Sequence, residues 1–173
     1  KYIKFRPLQK HTSKEDILGL KSRNKEIMEE IIQEKISADH LLYVSLKYTK
    51  TCDVIMNLLL RWRRMIEISI DALLKQAHKK KKIPKVPGTS VEKLNIAKEI
   101  FKKDKDISKT LELYKMLRKL EELRIERIGE FRKNVNLKIF YQGEEVDVDL
   151  KNLKDYAILL EKFISRVKQY MAL

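Results

Sequence analysis

The chain has 173 residues, with 39 Lys and Arg against 25 Asp and Glu, for a formal net charge of +14. Its length suits one domain with a real hydrophobic core, and 37% charged residues with only 4 Gly suit long solvated helices. The composition excludes an internal disulfide, because Cys52 stands alone, and a glycine-rich phosphate loop, because Gly19, Gly88, Gly129 and Gly143 are scattered.

Residues 1–12 read as an extended arm, since Pro7 prevents a helix through them. The arm is basic but has no continuous apolar run after it, so no signal peptide is expected. Ser13, with Asp16 three residues on, predicts a cap for a helix from Lys14 to about Ile36. Ile17, Leu20, Ile27, Met28, Ile31 and Ile32 keep to one side of it at helical spacing. Ser37 offers a second cap for the longest segment, Ala38 to about Lys80, whose wide apolar stripe includes Ile55, Leu58, Leu59, Trp62, Met65, Ile66 and Leu73. A stripe that wide predicts a central helix touching several neighbours. "YTKTC" is a place where it could bend or break, near residue 50. Cys52 in this apolar setting is expected to be a buried, inert thiol.

"KKKKIPKVPGTS" is a connector, because Pro84, Pro87 and Gly88 cannot continue a helix. Thr89 and Glu92 form a capping box for a short helix to about Lys103. Another helix is expected from near Asp106 through Leu111, Leu117, Leu123 and Ile128 to Phe131. Along it Glu121, Glu122, Glu126 and Glu130 interleave with Arg118, Arg124, Arg127 and Arg132, which reads as solvated ion pairing. Val135, Leu137, Ile139 and Tyr141 then alternate with polar residues, Gln142-Gly143 turns the chain, and Val146 and Val148 alternate back. This β-hairpin must lie against the helices or pair with a partner's edge, since a lone ribbon is marginal. Asp149 caps a last helix. The expected fold is an all-α, antiparallel bundle of about five helices over residues 13–173, with a small β-hairpin at about 135–148.

Charge is unevenly placed. Residues 1–13 carry +4 and residues 61–85 carry +7, together +11 of the +14. A basic concentration of this kind attracts polyanions by releasing condensed counterions. Arg61, Arg63, Arg64, Lys79, Lys80, Lys81, Lys82 and Lys85 are therefore the candidate nucleic-acid-binding residues. The competing reading is a solvated loop and a basic rim around a core Trp62. Of the histidines, His11, His40 and His78, none has a Cys, Asp or Glu at the spacing of a zinc site, so no metal and no cofactor is expected.

Three phrases carry a family resemblance: "EKISADHLLYVSLKY", "KIPKVPGTSVEKLNIAKEIF" and "EFRKNVNLKIFY…VDLKNLKDYAILLEKFI". Over about residues 34–168 the chain resembles a group of archaeal helical proteins and, at the level of layout, the HEPN superfamily (higher eukaryote and prokaryote nucleotide-binding domains). The resemblance implies a small helical scaffold that dimerises and, in active members, a metal-independent ribonuclease with Arg followed four to six residues on by His. Arg132 matches the arginine, but Asn136, Leu137 and Lys138 stand where the histidine belongs, so the site is degenerate. Arg6 and His11 meet the spacing only by chance, in the arm. The Lys-, Glu- and Ile-rich composition leans towards a thermophile.

The expectation is a non-catalytic, degenerate HEPN-like cytoplasmic module that binds a polyanion, nucleic acid first, or assembles with an acidic protein through its basic surface, with no membrane span and a homodimeric state. The alternatives are a ribonuclease that uses Arg132 with Asn134, Asn136 or Tyr141, and a structural or toxin–antitoxin-like interaction subunit.

Overall fold

A computed structural model describes residues 14–172. The arm over residues 1–12, the cap at Ser13 and the Arg6–His11 pair lie outside them. Helix α1 spans Lys14–His40, continues as a π-helical turn Leu41–Ser45 and closes in the short α2, Leu46–Tyr48. α3 spans Cys52–Lys79, α4 Ser90–Phe101, α5 Lys105–Leu117 and α6 Leu150–Ala172. Strands β1 (Arg124–Ile128), β2 (Asn136–Tyr141) and β3 (Glu144–Asp149) form one antiparallel sheet in the order β1-β2-β3.

The first helix does not stop at Ile36. Ser37 sits inside α1, next to a fully buried Ala38, and the chain stays helical to Tyr48. The π turn is what permits this. Its wider winding keeps Leu42 and Leu46, spaced by four, on the buried side that Ile31 and Ala38 establish. The break falls instead at the β-branched Thr49 and Thr51, both extended, where Thr51 Oγ accepts from the Val54 N–H and caps α3.

α3 is the expected central helix. Leu58, Leu59, Trp62, Ile66, Ile70, Leu73 and Leu74 are all buried, and α1, α4, α5, α6 and β2 pack around it. The Trp62 ring meets Tyr156 of α6 edge-on at 6.3 Å. Neighbours do not alternate strictly in direction, however. Glu34 beside Arg61 sets α1 antiparallel to α3, and Glu67 beside Tyr114 with Glu121 beside Arg63 does the same for α5. By contrast, Trp62 and Lys80 meet Tyr156 and Tyr170, and Asp71 meets Lys93 while Phe101 reaches Tyr170 at the Lys80 end, so α6 and α4 run parallel to α3. The proline-bearing connector makes this possible by carrying the chain back along α3 before α4 starts. Three helix C-termini therefore gather at one end of the bundle.

The larger correction concerns residues 118–131. α5 ends at Leu117, a 3-10 turn Leu120–Glu122 follows, and "RIERI" becomes β1 where helix was expected. The fold is thus not all-α: helices dominate, with a three-stranded sheet before the last one. Pairing with β2 (Ile125 opposite Ile139, Arg127 opposite Leu137) satisfies an edge that a two-stranded hairpin would have left open. Long-range pairing overrides the local periodicity. The rest of the hairpin is as read. Gln142 and Gly143 have φ of 52° and 80°, a two-residue turn with both residues left-handed, and Tyr141 faces Glu144 across it. Val135, Leu137, Ile139 and Val148 are buried in the same core as the helices. Asp149 caps α6 by accepting from the Asn152 N–H at 2.8 Å, and Thr89 and Glu92 cap α4 reciprocally.

The loop joining β1 to β2 grips the start of α3. The Phe131 N–H donates to the Lys50 carbonyl at 2.7 Å, and the Glu130 carboxylate accepts from the Cys52 N–H at 3.1 Å. Gly129 starts this loop at φ +67°, and a Cβ there would lie 2.7 Å from the Asn134 carbonyl oxygen. Gly129→Ala is expected to lower stability by about 2 kcal/mol and Tm by about 4–8 °C. Gly19→Ala, in α1 with open space around it, should instead raise stability by about 0.5–1 kcal/mol. Thermal denaturation followed by circular dichroism reads both signs.

Candidate polyanion-binding end

The lysine run closes α3. Lys81 takes a left-handed φ of +56°, the Lys82 N–H donates to the Ala77 carbonyl, and the Lys81 N–H donates to that of His78, both at 2.9 Å. This is a Schellman ending, and its left-handed position usually holds glycine. The His78 ring donates from Nδ1 to the Ile83 carbonyl at 3.1 Å, folding the connector back, and Ile83 and Pro87 are buried.

Side chains divide by role. Lys80 is anchored: its ammonium lies 4.1 Å from the centre of the Tyr170 ring and donates to the Tyr170 carbonyl at 3.3 Å. The Lys82 ammonium approaches the same ring at 5.2 Å, and Phe101 meets that ring edge-on at 5.1 Å. Lys79, Lys81, Lys82 and Lys85 are exposed. None of these five lysines has a carboxylate within ion-pair distance among the described residues. The C-terminal carbonyls of α3, α4 and α6 point to this end and favour cations there, offset in part by the N-terminal ends of the antiparallel α1 and α5. That accounts for Lys79 and Lys80 better than for Lys81, Lys82 and Lys85, which lie beyond the last helical turn.

Beside the run is a cleft of about 230 Å³ between α1, α3 and the connector. Arg23, Lys75, His78 and Lys79 line it above an apolar floor that includes Ile27, Val86 and Met171, and no acidic side chain among the described residues does. Such a pocket offers a phosphate several cationic donors, with the neutral amides of Asn24 and Gln76 beside them.

Arg61, Arg63 and Arg64 are elsewhere. At about 1.5 Å rise per residue, Arg61 lies about 27 Å down α3 from Lys79. The three arginines line a shallow groove with Leu41, Asn57, Leu60 and Glu67. Each is engaged: Arg61 and Arg64 share Glu34 at 3.2 and 2.9 Å, Arg64 also reaches Glu30 at 3.5 Å, and Arg63 meets Glu121 at 2.9 Å. Glu34 is only 12% exposed, so its charge depends on those guanidinium groups.

Arg132 stands exposed on the β1–β2 loop. The Asn136 amide is spent inside the sheet, donating to Asp147 at 2.6 Å and accepting from the Val148 N–H at 2.9 Å. The Tyr141 hydroxyl is buried. His40 is an exposed residue at the end of α1 rather than a cap, and Asp39 beside it pairs with Lys35 at 2.6 Å. Cys52 is buried, its thiol donates to the Asn136 carbonyl, and burial pushes its pKa up, so little reactive thiolate forms. At the start of α3, Asp53 is held below the usual carboxylate range by the Arg127 guanidinium at 2.7 Å. Arg124 pairs with Glu126 and Arg127 with Glu130, so ion pairs of the expected kind form, though on and beside a strand. Among the described residues no group of three His, Cys, Asp or Glu is placed to hold a metal ion, and no helix is long and apolar enough to cross a membrane.

Lys75 belongs to the basic stretch 61–85 already read in the sequence, but Arg23 and Tyr170 join the lysines only through the packing of α1 and α6 on α3.

The shared carboxylate generates a test. Arg61→Ala or Arg64→Ala alone leaves Glu34 one partner and should cost less than about 1 kcal/mol. The double substitution orphans a half-buried charge, and its cost should exceed the sum of the singles by about 0.5 kcal/mol or more. Urea denaturation of the cycle measures this, and strict additivity would show that Glu34 does not depend on the pair.

Comparisons with protein-family models, with curated proteins and with solved structures find no match to this chain, so its function has to be argued from its own residues.

Proposed function

We propose that the chain is a non-catalytic, HEPN-like helical module that binds a polyanion, nucleic acid being the type it suits best, at the lysine-rich end of the bundle. The observation that carries the reading is Lys79, Lys81, Lys82 and Lys85 standing exposed, without acidic partners among the described residues, beside a cleft of Arg23, Lys75 and His78. Cation clusters free of carboxylates are where phosphates gain most, since each contact releases a counterion. Left-handed Lys81 supports the same reading. A glycine would suit the backbone there, and lysine is kept at an energetic cost of about 1 kcal/mol. Arg61, Arg63 and Arg64 are assigned to holding α1 and the segment after α5 on α3. A reduced, buried Cys52 suits a cytoplasmic protein.

Catalysis at Arg132 is the weaker reading, because neither a histidine nor a free Asn136 amide accompanies it. Self-association is a second reading that one observation favours. Ile32, Ile36 and Ile158 are exposed along the seam where Lys35 of α1 meets Glu161 of α6. Sedimentation over a hundredfold range of concentration should then show dimers, and a monomer throughout would reject it.

Fluorescence anisotropy with labelled RNA and DNA at two salt concentrations tests the main proposal. Replacing Lys79, Lys81, Lys82 and Lys85 by Gln should weaken binding more than about tenfold at low salt. It should also flatten the log–log salt slope by roughly 0.9 for each lysine that meets a phosphate. Lys81→Gly should stabilise the fold by about 1 kcal/mol while weakening binding. No binding at about 50 mM salt would overturn the proposal.

A further inference from the structure

The opposite end of α3 carries a feature that the lysine cluster does not explain. Phe131 is 77% exposed and Tyr48 is 76% exposed, the two most exposed aromatic side chains among the described residues. They belong to distant parts of the chain, yet the Phe131 N–H donates to the Lys50 carbonyl at 2.7 Å, two residues from Tyr48. Phe131 also takes a left-handed φ of +63°, a conformation strained for any residue with a side chain. The fold receives nothing for that strain, since the ring packs into no core. Glycine would satisfy the backbone better.

Cations lie over the Tyr48 ring and follow Phe131 along the chain. The Lys47 ammonium lies 5.6 Å from the centre of the Tyr48 ring, and Lys50 donates to the Lys47 carbonyl at 2.7 Å. Arg132 and Lys133 follow Phe131 directly and are exposed. None of these four cations has a carboxylate within ion-pair distance among the described residues. The acids nearby are already committed: Asp53 to Arg127, and Glu130 to the Cys52 N–H and Arg127. Exposed aromatic faces interleaved with unpaired Lys and Arg suit unstacked bases on a phosphate backbone, because any base can stack and any phosphate can meet a cation. A duplex, with its bases already stacked, gains only from the cations.

We infer that the loop tip at Phe131, with Tyr48, Lys47, Lys50, Arg132 and Lys133, is a stacking site for single-stranded nucleic acid. This rests on the nucleic-acid reading above and adds the strand form and a second contact surface, about 40 Å from the lysines along α3 at about 1.5 Å per residue.

The test measures full-chain binding to a single-stranded oligonucleotide, to the same sequence as a duplex, and to an abasic strand of equal length. Phe131→Gly should weaken single-strand binding by about five- to a hundredfold. It should leave duplex and abasic affinities and the salt slope unchanged and raise Tm, while Phe131→Trp should restore the single-strand affinity. Single-strand binding that is indifferent to Phe131→Gly would overturn the inference and assign the tip to another class of occupant, such as an apolar protein anchor. Equal loss on all three ligands would also overturn it, as a general effect rather than stacking. Absence of binding to every ligand would instead overturn the nucleic-acid reading itself, a result distinct from either of these.

Discussion

Burial of the wide apolar face of α3 is the constraint from which the rest of the molecule follows. A helix with Leu58, Leu59, Trp62, Ile66, Ile70, Leu73 and Leu74 inside cannot rest against one neighbour, so α1, α4, α5, α6 and β2 each cover part of it. Its length, about 42 Å for 28 residues at about 1.5 Å rise, also fixes the separation of the two ends. What little irregular backbone the core tolerates serves that coverage: the π turn keeps Leu42 and Leu46 inside, and the connector after Lys82 returns the chain so that α4 can lie alongside. Because α4 and α6 run parallel to α3, three helix C-termini meet at the lysine end, beside the N-terminal ends of the antiparallel α1 and α5.

Much of this was legible where the deciding interactions are local. The capping box at Thr89 and Glu92, the cap at Asp149 and the turn at Gln142-Gly143 each depend on residues within four positions, and each is found. Trp62 and the stripe around it are legible because burial follows helical spacing. β1 was not. "RIERI" fits helical and strand spacing equally well, and the choice is made by Ile139 and its neighbours, more than ten residues away. Ser37 misled for the opposite reason, since it has the chemistry of a cap but lies where α1 is already committed to the core by Ile31 and Ala38. Helix direction was equally hidden, because nothing in a proline-rich connector states how far back it travels.

The candidate site divides in the same way. Lys79, Lys80, Lys81 and Lys82 announce themselves as a run, whereas the cleft beside them needs Arg23 from α1 and the ring beneath them needs Tyr170 from α6. Arg61, Arg63 and Arg64 looked equivalent to the lysines in the sequence. Their glutamates come from α1 and from the turn after α5, and that pairing changes their meaning from free charge to structural contact. Phe131 read as the end of a helix, and only its backbone conformation and exposure set it apart.

The central claim is that a rigid buried α3 presents its unpaired charge at its C-terminal end. Amide hydrogen exchange with and without a saturating polyanion tests it most directly. The account predicts that amides from Leu58 to Leu74 exchange slowest in both states and that added protection gathers at residues 79–86 and along Arg23. Rapid exchange through the middle of α3, or protection centred on Arg61–Arg64 with none at the lysine run, would contradict it.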